Sequence, residues 1–461
     1  MQASARCAFA LIVLMLASSM LGLTPAAQVA QPNESVLIPE VHPAGGRALT
    51  VWSGTVMVNG DYTVASGDEL RIQAGADIQM GPGVRIYVDG KLTAHGTAAN
   101  PVTVSVQQAF IWHDGFQFNA TSRGRGSHLQ NMTISDAQYG ITIYDSNPVI
   151  DDLYLDNPDY VGIDMFDSAS PVIRRLTVQG GGQDVHGAET HWRYGIGMSV
   201  GAGSAPFVQG ANFDNLVTRA VSYWRGSGGV MRDLNISNIS GATLNISAGI
   251  YVDDSLPLFE DVSITRSDHG VYIMHTMDNM TTRPVFRRIT IEDSQFRGVK
   301  IEKEDHWNFT TYMMARFHDL EVSGTGGPGA RTPGLATAAI ELNTSGGWFE
   351  NVNIHDNPVN GIKLYMTDPS TTFVNTTITS SGASMGGTHN MAGFYSRSSN
   401  NGGPTLQNLA VSDSPGSGIF ITKGSISGSD WYSHDNDAEG VYIREMFPNV
   451  DGITVEDNGH S

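Results

Sequence analysis

The 461-residue chain carries 26 basic residues against 46 acidic ones, a formal net charge of -20, so recognition of nucleic acid through a basic surface is disfavoured. Charged residues supply only 16% of the chain, glycine contributes 53 positions and lysine five. That composition disfavours long helices and fits a turn-dense extracellular β protein.

The N-terminus pairs Arg6 with an uncharged, mostly apolar run from Ala8 to Leu23, followed by Thr24, Pro25, Ala26 and Ala27. This is the layout of a secretory signal peptide over residues 1–26, cleaved after Ala26, with a linker over 27–48. An uncleaved anchor is the alternative, but the run is short of the roughly 20 residues that span a bilayer. Cys7 is the only cysteine, so the mature chain is expected to lack disulfides. No later stretch approaches membrane-spanning length, and the expected location is secreted or cell-surface.

Residues 49–110 form successive short strands linked by glycine turns, beginning with the run from Asp61 to Val104 and leading into WHDGFQF. From Gly115 to Gly440 one pattern then recurs across residues 111–461: a glycine, an apolar residue, any residue, a second apolar residue. Its anchors are Gly115, Gly140, Gly162, Gly195, Ala220, Gly249, Gly270, Gly298, Ala339, Gly361, Gly393, Gly418 and Gly440. Most successive steps are 21 to 25 residues, the rest being longer by insertion. Within residues 249–269 the pairs Ile250/Val252, Leu258/Phe259 and Val262/Ile264 define three short strands separated by turns. No single unit can bury its own apolar residues, so neighbours must stack. The glycine anchor permits either a positive φ or close backbone approach.

The repeat resembles the right-handed parallel β-helix of pectate lyases and many surface proteins, over roughly residues 50–461. The resemblance implies an all-β solenoid of about 13 or more coils with three short strands each. A β-propeller, with a period of about 40 to 45 residues, is disfavoured by the 21- to 25-residue steps. The final residues VEDNGHS follow the apolar pair Ile453/Val455 without a polar cap, so further coils or C-terminal domains are expected beyond residue 461.

Three large insertions, 179–194, 324–338 and 380–392, precede glycine or alanine anchors at the same point of the repeat and should share a face. Outward columns beneath them would gather Tyr223, Trp224, Arg225, Tyr251, Tyr272, Glu341 and Lys363, with Trp192 in the first insertion. Aromatic faces stack on sugars and charged groups bond hydroxyls and carboxylates, which makes these the candidate ligand-binding residues. The catalytic candidates are His269, Arg297, Lys300, Asp253 and Glu302. DHGVYI (Asp268 to Ile273) and RGVKI (Arg297 to Ile301) are similar to two motifs of polygalacturonase-like hydrolases, but Ala248 stands where that family has its acid, Lys300 matches its arginine and Glu302 its lysine. Asp253 and Asp254 should point to opposite faces of an extended strand, so hydrolysis is not expected. A lyase would use Arg297 or Lys300 as base, with Ca²⁺ on clustered carboxylates neutralising a uronate. His186, His191 and His389 are loop histidines to which no metal is assigned.

Glycan acceptors are expected among the N-x-S/T asparagines: Asn119, Asn131, Asn235, Asn245, Asn279, Asn308, Asn343 and Asn375. Two functional readings remain open. The first is a non-catalytic exported scaffold that binds polysaccharide or cell-envelope components. The second is a polysaccharide lyase or related carbohydrate-active enzyme using the central outward face.

Overall fold

The structure is a computed structural model that describes residues 36–37, 48–108, 111–182, 194–241, 247–276, 283–303, 314–327, 338–382, 392–397 and 403–459. The expected signal peptide, Trp192, Asn245, Asn279, Asn308 and the three loop histidines lie outside them.

From Leu49 onward the chain winds as a right-handed parallel β-helix, each strand pairing in parallel with its counterpart one coil away. Alternation sends every second residue of a strand inward, and the fixed register stacks these residues in rows. Ile250, Val271, Val299 and Ile340 form one row, and Val252, Ile273, Ile301 and Leu342 another, all without solvent exposure. Such rows run into one continuous core.

The second and third strands of the later coils are fused where separate strands were expected. Leu256–Ser267 is a single strand bent at Asp261, whose φ is 58°. Arg288, Asp319, Asn351, Asn375 and Asn408 bend the equivalent strands at φ of 52–58°. Asn and Asp tolerate this left-handed region because their short polar side chains bond locally. At the bend the inward set changes phase, so Phe259 points to the core while Leu258, expected beside it, is half-buried.

The corner asparagines also join coil to coil. Asn351 donates to Asp319 (2.9 Å), Asn375 to Asn351 (3.1 Å) and Asn408 to Asn375 (2.9 Å). Asn375, a candidate glycan acceptor, therefore already uses an amide N–H within this ladder.

Close approach, the second of the two roles open to the glycine anchors, is the one met in the central coils. A Cβ on Gly270 would lie 2.5 Å from both the Gly298 carbonyl oxygen and Ile291 Cγ2, contacts no real side chain makes. One anchor is displaced from its expected position. Gly197, not Gly195, occupies the register site, since Met198 pairs with Val221, and a Cβ there would strike the Phe213 ring.

Two positions before the bend residues Asp261, Arg288, Asp319, Asn351 and Asn375, the rings of Phe259, Phe286, Phe317, Phe349 and Phe373 stack at centroid separations of 5.3, 4.5, 5.1 and 4.5 Å with planes within 6° of parallel. Phe317 is fully buried between two rings. Its replacement leaves a cavity that rigid neighbouring coils close poorly. Phe317→Ala should cost about 3–5 kcal/mol in urea denaturation. A loss under about 1 kcal/mol, typical of a surface change, would contradict this packing.

Candidate functional site

The outward face of the first-strand ladder becomes a grid when its register is followed through Arg219–Trp224, Ala248–Asp253, His269–His275, Arg297–Lys303, Ala338–Asn343, Asn360–Tyr365 and Ala392–Arg397. One column runs Arg219, Ala248, His269, Arg297. A second runs Ser222, Tyr251, Tyr272, Lys300, Glu341, Lys363, Tyr395. The third runs Trp224, Asp253, Met274, Glu302, Asn343, Tyr365, Arg397. Most sequence-designated residues do share this face, and register alone brings them there.

Tyr223 does not. It is the second apolar position of the AVSY unit, stacks in register with Val252 and lies wholly in the core, 5.6 Å from Phe259 in an edge-on arrangement. Burial drives its phenol pKa far upward, and its hydroxyl has no hydrogen-bond partner among the described residues. Its assignment to a ligand surface is therefore corrected.

The remaining groups interlock. The Arg219 guanidinium sits 3.6 Å from the Tyr251 ring centroid and 4.8 Å from that of Trp224, a cation–π contact deepened by desolvation. Burial lowers the Arg219 pKa to about 10, which leaves it cationic at neutral pH. Tyr251 and Tyr272 pack edge-on at 5.4 Å and are both nearly inaccessible despite facing away from the core. Lys300 lies 4.4 Å above the Tyr272 ring and 2.7 Å from Glu302, which also accepts the Tyr272 hydroxyl. Burial first, then Glu302, pushes the Tyr272 phenol upward. Arg297 is held by Glu341 at 2.9 Å.

His269, proposed as a catalytic group, is entirely buried between the rings of Tyr272 (5.4 Å) and Phe296 (5.6 Å), and neither ring nitrogen has a hydrogen-bond partner among the described residues. Burial, reinforced by Arg297 and Lys300, holds its pKa well below the usual value. It is a neutral wall of the site and is not positioned to touch a polymer. Trp224 and Lys363 are half-buried, Arg225 is exposed at its corner and Tyr365 is 38% exposed, so these form the accessible rim.

The two adjacent aspartates converge where divergence was expected. Asp254 adopts φ 41° at the corner, which rotates its carboxylate back toward that of Asp253. Thr276 Oγ1 lies 3.0 Å from Asp253 Oδ1 and 2.8 Å from Asp254 Oδ2, and His275 Nδ1 lies 2.9 Å from Asp254 Oδ1. A hydroxyl has one proton, so it can donate to only one carboxylate at a time. The arrangement is complete when a protonated Asp253 donates to Thr276, which donates to Asp254. Burial accordingly raises Asp253 to about 6, against the lowering effect of Thr276. Asp254, although buried, is held below the carboxylate range by His275 and Thr276. Sequence reasoning missed this network because period-2 alternation was carried one residue too far, through the corner. The signal was the DDS run itself, a turn composition. Among the described residues no group of three or more metal-ligating side chains is disposed to hold an ion, and the Ca²⁺ expectation gains no site from them.

The family described as right handed beta helix region matches residues 114–285. No curated protein matches the sequence. Among solved structures, a periplasmic alginate epimerase is 13% identical, with 68% of this chain and 76% of that one covered at a TM-score of 0.36. The catalytic domain of an alpha-1,3-glucanase in complex with nigerose is 12% identical over 91% of this chain and 70% of its own, TM-score 0.42. A mannuronic acid specific polysaccharide family 6 lyase from human gut microbiota is 11% identical over 85% and 91%, TM-score 0.43.

Two outcomes follow from the site. The folded state favours protonated Asp253, whose pKa rises from an unfolded value near 3.8 to about 6, so its contribution is fully present below about pH 4 and is lost as pH rises to about 6. Asp253→Asn should flatten the decline in urea stability across pH 4–6; an unchanged decline would assign it to other groups. Tyr223→Phe removes a buried unpartnered hydroxyl and should leave stability equal or about 1 kcal/mol higher. A loss of several kcal/mol would mean that the hydroxyl has a partner.

Proposed function

We propose that this is an exported β-helix protein whose central outward face binds an anionic polysaccharide along the solenoid axis. One observation carries the reading. From Arg219 to Arg397 the three outward columns hold five cations (Arg219, Arg297, Lys300, Lys363, Arg397) against three carboxylates (Asp253, Glu302, Glu341), in a chain whose acidic residues outnumber its basic ones 46 to 26. Charge is concentrated there against the trend of the molecule, beside stacked aromatic rings and an accessible rim. Such a surface attracts a polyanion and offers apolar ring faces to its sugars.

Binding without turnover is the simpler form of this reading. Arg297 and Lys300, the groups a lyase would use as base, are each held by a carboxylate, and His269 and Asp253 are too buried to reach a glycosidic bond. The catalytic form has one observation in its favour: the Lys300 amine, the Tyr272 hydroxyl and Glu302 already share hydrogen bonds, the proximity that proton transfer needs.

The full chain should bind saturably to at least one of polygalacturonate, alginate and a sulfated galactan in affinity electrophoresis, weakening as salt rises. Lys363→Met combined with Tyr365→Ala, both on the rim, should weaken binding about tenfold with Tm unchanged. Absence of binding across the panel refutes the reading. Unsaturated products absorbing in the ultraviolet, lost in Lys300→Met, would select the lyase form, and binding without product selects the scaffold.

A further inference from the structure

On another wall of the solenoid one rung of the corner column is missing its side chain. The column runs Asp152, Arg175, Gly210, Asp233, and beside it the outward column of the third strand runs Tyr154, Thr177, Asn212, Asn235. Every other residue at this bend from Asn131 to Asp430 carries a side chain, but Gly210, with φ 70°, presents none. The gap is real. A Cβ built there meets nothing closer than the Arg175 backbone nitrogen at 3.9 Å. The result is a groove of about 520 Å³, within the size range of small-ligand sites.

Its walls are polar and partly pre-set. Arg175 is clamped by Asp152 through two bonds of 2.5 and 2.8 Å, so its guanidinium plane is fixed at one end. Asp233 stands at the other end, and among the described residues its carboxylate accepts a single long 3.4 Å bond, from Gln209. Along the side, Asn235 Nδ2 donates to Asn212 Oδ1 at 3.1 Å. That bond uses one donor of Asn235 and the oxygen of Asn212, and among the described residues no hydrogen bond engages Asn212 Nδ2 or Asn235 Oδ1, which leaves one amide donor and one amide acceptor for a ligand. Tyr154 is fixed through its hydroxyl to Gln179 at 3.0 Å, leaving its ring as an apolar flank.

We propose that this notch is a binding site for a single neutral sugar residue, separate from the central face. A carboxylate accepts from vicinal hydroxyls, an amide pair offers one donor and one acceptor, and an aromatic ring covers the apolar side of a pyranose. Arg175 is already neutralised by Asp152, so the notch lacks the free cation that would select an acidic sugar. It differs from the cation-rich central face in this respect. Asn235 is also a candidate glycan acceptor, and a glycan on its Nδ2 would compete with the ligand.

The test uses the full chain from a host that does not glycosylate, titrated with the methyl glycosides of glucose, galactose and mannose by calorimetry and saturation-transfer NMR. At least one should bind saturably with a Kd of about 1 mM, corresponding to roughly 4 kcal/mol. Gly210→Asn fills the notch with a residue that the same column accommodates at 131, 351, 375 and 408. It should weaken binding at least about tenfold while leaving Tm unchanged. Asp233→Asn, which alters no packing, should weaken it severalfold and serves if the first variant folds poorly. Lys363→Met, on the central face, should have no effect on monosaccharide binding, so the two readings stand or fall separately. No saturable binding to any of the three glycosides, or equal binding by wild type and Gly210→Asn, would overturn the proposal.

Discussion

Each coil must return to the same angular position one strand spacing further along the axis, because its backbone N–H and C=O groups are satisfied only by the coils on either side. That requirement sets everything else. It turns a sequence repeat into straight columns of side chains, so like residues stack on like: Phe on Phe from Phe259 to Phe373, Asn on Asn from Asn351 to Asn408, and apolar rows such as Val252, Ile273 and Ile301. It also forbids a Cβ at Gly270, where the next coil's carbonyl approaches too closely. Left-handed Asn and Asp residues absorb the direction changes, and glycine is then free to serve contact.

The same stacking governs the outward face. Side chains one rung apart cannot avoid each other, so a cluster of ionisable residues becomes a network. Arg297 finds Glu341, Lys300 finds Glu302 and Tyr272, and Arg219 lies over Tyr251. Pairing removes several charges from the outer surface while leaving an excess of cations. Where a residue at the bend is reduced to hydrogen, as at Gly210, the wall opens a notch instead. The distinctive surface features of this scaffold thus arise as departures from uniform columns.

The fold was legible because the signal is repeated: weak matches to an apolar pair after a small residue become decisive when they recur in phase. Individual positions were less secure. Tyr223 was placed outside although the pattern's own second apolar position is inward, since a tyrosine in a column of candidate aromatics resembles a sugar platform. Gly195 was taken as an anchor because GIGM contains two glycines two residues apart, a slip that keeps alternation intact and so leaves no trace in the sequence. Leu258 was taken as inward because the bend at Asp261 shifts the phase of burial.

From sequence alone came the winding of the chain, the apolar rows and the membership of the central columns, because these depend on periodicity, which is local and additive. Tertiary structure decided which members are accessible and what each one touches. His269 and Tyr272 are equally outward in register yet almost wholly covered, and Asp254 turns back onto Asp253 through a single backbone dihedral. Exposure, ion pairing and the sharing of one hydroxyl by two carboxylates depend on distances between residues 21 to 44 positions apart on neighbouring coils. Those distances exist only once the coils have stacked.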